Sequence, residues 1–249
     1  MCNINIIMRK HLDYKENWLL GFLQSVTACS YNSNSDGEGM YIRDIVIKNI
    51  NKINYFNYRD RIKDSPLIIT HQRMSTSGFS AEYTHPFYNK DFVLVHNGIM
   101  YEYAEGNKSD TFVFFSRLMQ TYKIMKGSRE ERLIGAIKLL LDNKSPGSYS
   151  IAIYDRKTEL LYYFKNSSTS MYAIRDNSLL YLTTNQGNIK FFDLPTTVQQ
   201  NIKSYQIYRI DKKLQFKKVG RIAHQETWKN LVVREKATAD YQNYWNGYW

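Results

Sequence analysis

The sequence predicts an α+β layered fold, on three observations. Strands come first and helices follow, a meander of short strands occupies the chain from about residue 148 onward, and the regular strand–helix alternation of a doubly wound sheet is missing. A chain of 249 residues can bury a substantial core. Its 21 Tyr, 12 Phe and 4 Trp against only 12 Gly and 4 Pro mark an ordered globular protein rather than a disordered one. No internal repeat or low-complexity stretch breaks it up.

The elements follow in order. Asn3 to Met8 read as a strand. Trp18, Leu19, Phe22, Leu23 and Val26 recur at helical spacing and predict an amphipathic helix over Asn17 to Cys29, with Cys29 expected as a buried small apolar residue. The turn cluster from Asn34 to Gly39 leads into a strand over Met40 to Ile47. Two apolar runs, one ending in His71-Gln72-Arg73 and the other, Phe92 to Val95, ending in His96-Asn97-Gly98, read as strands whose polar triplets sit at strand ends. Asn-Gly is also the common hairpin-turn dipeptide, and that reading of Asn97-Gly98 stays open here.

Phe112, Phe115, Leu118 and Met119 form a helical face capped by Ser109 or Asp110, and Leu133 to Leu141 continue as a second helix. Strands are then expected over Tyr149 to Tyr154, Leu160 to Phe164, Met171 to Ile174, Leu179 to Thr183, Ser204 to Ile210 and Leu214 to Val219. The organisation is one domain over residues 1–225 and a C-terminal tail over 226–249. The tail carries Tyr241, Tyr244, Trp245, Tyr248 and Trp249, suited to packing on the body or to docking a partner.

A net charge of +11 favours anionic partners, nucleic acid among them. The basic residues are scattered, however, and mixed with acids in Arg59-Asp60-Arg61 and Arg129-Glu130-Glu131-Arg132. A solvated basic surface is therefore preferred to a nucleic-acid site. Two cysteines, Cys2 and Cys29, make no disulfide framework. Without a signal-like N-terminus or a membrane-length apolar run, the expectation is a cytoplasmic protein that does not enter a membrane.

Cys2 directly follows Met1, and initiator methionine is usually trimmed before a small side chain. The exposed α-amine, with a pKa of about 7.7–8.0, can take the proton of a thiol near 8.5, so that one residue supplies both nucleophile and base. An unremarkable second residue is the alternative.

Cys2, the HQR of residues 71 to 73, Thr76 with Gly78, His85-Pro86, the HNG of residues 96 to 98 and the SDT of residues 109 to 111 together resemble, in order, the class II glutamine amidotransferases. The resemblance implies an Ntn hydrolase-like fold, a four-layer αββα sandwich of two antiparallel sheets, with the amidotransferase domain spanning residues 1–225. It implies Cys2 as the nucleophile that forms a γ-glutamyl thioester, and Asn97 and Gly98 as the oxyanion hole. Arg73 would bind the glutamine α-carboxylate, Asp110 the α-ammonium, and Thr76 a further part of the substrate.

No cofactor and no metal are implied. The reaction is the hydrolysis of the glutamine side-chain amide, with the ammonia passed to a separate synthase or acceptor protein. The chain departs from common members at Asn3, Met74 and Phe112, and in its shorter interval from Asn97 to Asp110. Two other readings follow: an amidohydrolase of a γ-glutamyl or related amide, and a catalytically silent basic binding module.

Overall fold

The structure is a computed structural model that describes residues 2–12, 16–31, 34–75, 80–192 and 198–224. Thr76 and the aromatic tail of residues 226–249 lie outside the described residues. In chain order the elements are β1 (Asn3–Arg9), α1 (Glu16–Tyr31), β2 (Glu38–Ile42), β3 (Ile45–Asn49), α2 (Arg59–Lys63), β4 (Leu67–Gln72), β5 (Phe87–Tyr88), β6 (Phe92–Met100) and α3 (Asp110–Ile124). They continue with α4 (Arg129–Leu141), β7 (Gly147–Asp155), β8 (Leu160–Lys165), β9 (Tyr172–Arg175), β10 (Leu179–Thr183), β11 (Val198–Asn201), β12 (Gln206–Ile210) and β13 (Phe216–Arg221).

Among the described residues the strands form a seven-stranded sheet, β11-β9-β10-β1-β4-β2-β3, and a six-stranded sheet, β13-β12-β8-β7-β6-β5. Neighbouring strands in both are antiparallel.

Strand alternation separates three cores and so defines four layers. Along β1, Ile4, Ile6 and Met8 enter a core between the sheets, where they meet Val93 and Val95 of β6. Ile7 points the other way, into a core with Leu19, Phe22 and Val26 of α1. On the six-stranded sheet, Phe92 and Leu94 face Phe114 and Leu118 of α3 and Leu133 and Ile137 of α4. The order is therefore helix, sheet, sheet, helix, the predicted αββα sandwich. Because both faces of the central strands are covered, they read as near-continuous apolar runs.

Three local expectations are corrected. The stretch from Met40 to Ile47 is a hairpin, β2 and β3, turning at Arg43 (φ 39°) and Asp44 (φ 66°). Left-handed backbone at both positions of a two-residue turn normally announces itself by Asn-Gly or Gly-Gly, and Arg-Asp carries no such signal. Asn97-Gly98 is not a turn, because β6 continues through it, pairing Asn97 with Ser150 and Gly98 with Tyr149 of β7. Cys29 is exposed. At about 100° per residue it falls beside, rather than within, the arc of α1 that buries Leu19, Leu23, Val26 and Ser30.

Candidate active site

Register builds the site. β1 and β4 are neighbours, with Asn3 directly opposite Gln72. In an antiparallel pair the residue before Asn3 and the residue after Gln72 emerge at the same end, so Cys2 and Arg73 leave the sheet together. Met74 completes the contact through its backbone. Its N–H donates to Cys2 Sγ at 3.4 Å, and the thiol faces its carbonyl at 3.4 Å. No side-chain signal marks such a residue, and sequence reading missed it.

The second wall comes from β6 and the start of α3. Asp110 is the first residue of α3, and Ser109 is its N-cap residue, without a capping hydrogen bond from its side chain. The Asp110 carboxylate instead reaches across to the end of β6. One oxygen accepts from the Met100 N–H at 2.6 Å, and the other accepts from the Thr111 N–H at 2.7 Å. Asp110 thereby joins strand to helix.

Cys2, Arg73, His85, Gly98 and Asp110 line one pocket that opens to solvent. Four predicted site residues thus share one cavity. Asn97 does not line it. It follows the alternation of Val93 and Val95 and so faces the side of β6 on which β1 packs, buried, with its side-chain oxygen lacking a hydrogen-bond partner. Thr76 lies outside the described residues.

Two glycines permit the close approach. A Cβ on Gly98 (φ +140°) would lie 2.1 Å from the Ser148 carbonyl oxygen, and one on Gly39 would lie 1.6 Å from that of His85. Three buried histidines cluster at the pocket: His85 and His96 line it, and His71 contacts both. His71 Nε2 lies 2.6 Å from His85 Nδ1 and 3.1 Å from the His96 carbonyl oxygen, and His96 Nδ1 lies 2.8 Å from Thr111 Oγ1. Burial lowers all three, His71 to about 3 and His85 well below the ordinary imidazole range, so they stay neutral and work as hydrogen-bonding groups.

Burial also pushes the Cys2 thiol up, against the pull of the Met74 N–H and the Arg73 charge. The Arg73 guanidinium is lowered by its own burial and raised by Cys2, Asp36 and Asp110 nearby. A thiol raised in this way is protonated at neutral pH and needs a base. While Met1 remains attached, alkylation of Cys2 by iodoacetamide, followed by peptide mapping, is expected to accelerate through a midpoint above the free-thiol value of about 8.5. A midpoint below it contradicts this electrostatic picture. Among the described residues no group of three or more His, Cys, Asp or Glu side chains is arranged to hold a metal ion, and no helix is long and apolar enough to cross a membrane.

The two packed antiparallel sheets with helices outside, and a cysteine at the start of a central strand, define an Ntn hydrolase-like αββα architecture. Solved structures share this fold. One is glutamine phosphoribosylpyrophosphate (PRPP) amidotransferase from B. subtilis complexed with ADP and GMP (TM-score 0.61, 14% identity, 87% of this chain and 49% of that one). A second, described as the allosteric regulatory enzyme of purine biosynthesis, matches with TM-score 0.63 and 12% identity over 89% of this chain and 50% of that one. The chain spans about half the length of these structures, and at such identity the likeness is one of fold. No protein-family model matches the sequence, and no curated protein matches it.

Proposed function

We propose that the protein is a glutamine amidotransferase subunit that hydrolyses the side-chain amide of glutamine and supplies the ammonia to a separate acceptor enzyme. The observation that carries the reading is the shared pocket. A thiol, a guanidinium and a carboxylate converge on one small cavity, in a chain with the fold of class II glutamine amidotransferases. Arg73 and Asp110 are the opposite charges that a free amino acid end requires, and a guanidinium suits a carboxylate by paired hydrogen bonds.

In the proposed reaction the Cys2 α-amine, freed by loss of Met1, takes the thiol proton, and sulfur adds to the amide carbon. Gly98 N–H, which borders the pocket, receives the oxyanion, and the Asn97 side-chain N–H joins it once that side chain turns from the far face of β6 toward the pocket. The amine returns the proton to the leaving nitrogen, ammonia departs, and water cleaves the γ-glutamyl thioester to glutamate.

The α-amine makes the test simple. Protein carrying an uncleaved N-terminal extension and the same protein cut to begin at Cys2 are compared for release of glutamate from glutamine. Turnover is expected only after the cut. Equal turnover with the extension in place would falsify the N-terminal mechanism, and a preference for γ-glutamyl peptides over glutamine would replace the substrate. Arg73→Lys is expected to raise KM for glutamine by about 10-fold, since an ammonium replaces the bidentate fork.

A further inference from the structure

Behind the pocket, on the face of the seven-stranded sheet covered by α1, lies a buried polar cluster that the reaction above does not use. At its centre the Glu38 side chain of β2 is fully buried. Its Oε1 accepts hydrogen bonds from Thr27 Oγ1 (2.9 Å), Tyr55 OH (2.6 Å) and Gln72 Nε2 (2.8 Å), and its Oε2 accepts from the Ile53 N–H (2.6 Å). The carboxylate accepts in every one of these contacts, so it turns the nitrogen of Gln72 toward itself and the oxygen away. That oxygen faces β1, where Asn3 Nδ2 (3.2 Å) and Asn5 Nδ2 (3.1 Å) donate to it. Asn3 Nδ2 also reaches Ser30 Oγ of α1 at 2.5 Å, and Asn5 Oδ1 accepts from Tyr181 OH at 2.6 Å. One buried carboxylate thus sets the orientation of three amides in turn.

The location gives the cluster its consequence. Asn3 follows the nucleophile, Gln72 precedes the guanidinium, and the two sit directly opposite in register. Alternation alone tolerates a slip of two residues between β1 and β4, because the same faces stay buried. A slip would break the Asn3–Gln72 contact and leave buried amides unpaired, which is unfavourable away from water.

We propose that Gln72, clamped by Glu38, is a positioning residue that holds Cys2 at a set distance from Arg73 through Asn3. The inference rests on the glutamine reading of the pocket. It touches neither substrate nor thiol, so it acts on geometry and leaves the intrinsic reactivity of the cysteine alone.

The test compares two reagents on protein cut to begin at Cys2. A diazoketone analogue of glutamine must dock through Arg73 and Asp110 before it meets the thiol, whereas iodoacetamide needs only the thiol. In Gln72→Leu the rate of Cys2 modification by the analogue is expected to fall by about 10–100-fold, the effect of roughly ångström-scale misplacement. Modification by iodoacetamide should stay within about twofold of wild type on the same scale of effects. For glutamine itself kcat should fall while KM is held, because the binding charges remain.

Asn3→Ala, which leaves Gln72 bound to Glu38 and Asn5, repeats the measurement if Gln72→Leu shows no cooperative melt. Equal losses with both reagents, or no loss with either, in a variant that melts cooperatively overturns the proposal. Wild-type protein that ignores both glutamine and the analogue refutes the function itself, a different outcome.

Discussion

Cys2→Ala is expected to remove glutamine hydrolysis, lowering turnover by roughly 10⁴-fold or more, because the thioester route has no second nucleophile to fall back on. Stability should change little, since Cys2 is only partly buried and its polar contacts are with the Met74 backbone. Intact mass after treatment with the glutamine analogue supplies the second half of the measurement. Wild type should gain one adduct and lose Met1, and the variant should gain none. Cys29 is exposed and could contribute label of its own, so the comparison is made in a Cys29→Ser background. Hydrolysis that survives in Cys2→Ala would show that the thiol is not the nucleophile, whatever the fold.

Gly98→Ala should damage the fold of the site. The added Cβ would stand 2.1 Å from the Ser148 carbonyl oxygen and 2.6 Å from its carbon, both backbone atoms of the neighbouring strand, and the backbone there has φ +140°. Overpacking and left-handed strain each cost about 1–3 kcal/mol, so a loss of about 4 kcal/mol and a Tm lower by about 10 °C are expected. Activity should fall further than stability, because the N–H proposed for the oxyanion moves with the strand. Gly106→Ala is the control. Its φ is +54° but nothing lies within 4 Å of the added carbon, so it should lose only about 1 kcal/mol and keep full activity. Equal Tm shifts for the two variants would mean that β6 and β7 can separate at no great cost, and that the close approach is unimportant.

How much of this was legible depended on the range of each interaction. Strand and helix periodicity is local, and β1, α3, α4 and most of the later strands lie within a few residues of where the apolar pattern puts them. The failures are also local but unsignalled. A two-residue turn with Arg43 and Asp44 at positive φ carries none of the usual glycine or asparagine marking. Asn97-Gly98, which has that marking, continues a strand, because it pairs in register with Ser150 and Tyr149 of β7, some fifty residues away. Cys29 sits one helical position outside the buried arc, a margin that side-chain hydrophobicity cannot resolve.

The sequence by itself determined the layered α+β class, which depends on residue types and spacing written in one dimension. The chemistry to look for at Cys2, Arg73, Asn97, Gly98 and Asp110 was what the resemblance to class II glutamine amidotransferases implies. Only the tertiary structure decided that Cys2, Arg73, Gly98 and Asp110 share a cavity while Asn97 turns to the other face of β6. It also decided that Asn3 and Gln72 meet over Glu38. Those outcomes are set by the register between strands distant in the chain, and register is chosen by packing and buried hydrogen bonds that exist only once the sheets have closed.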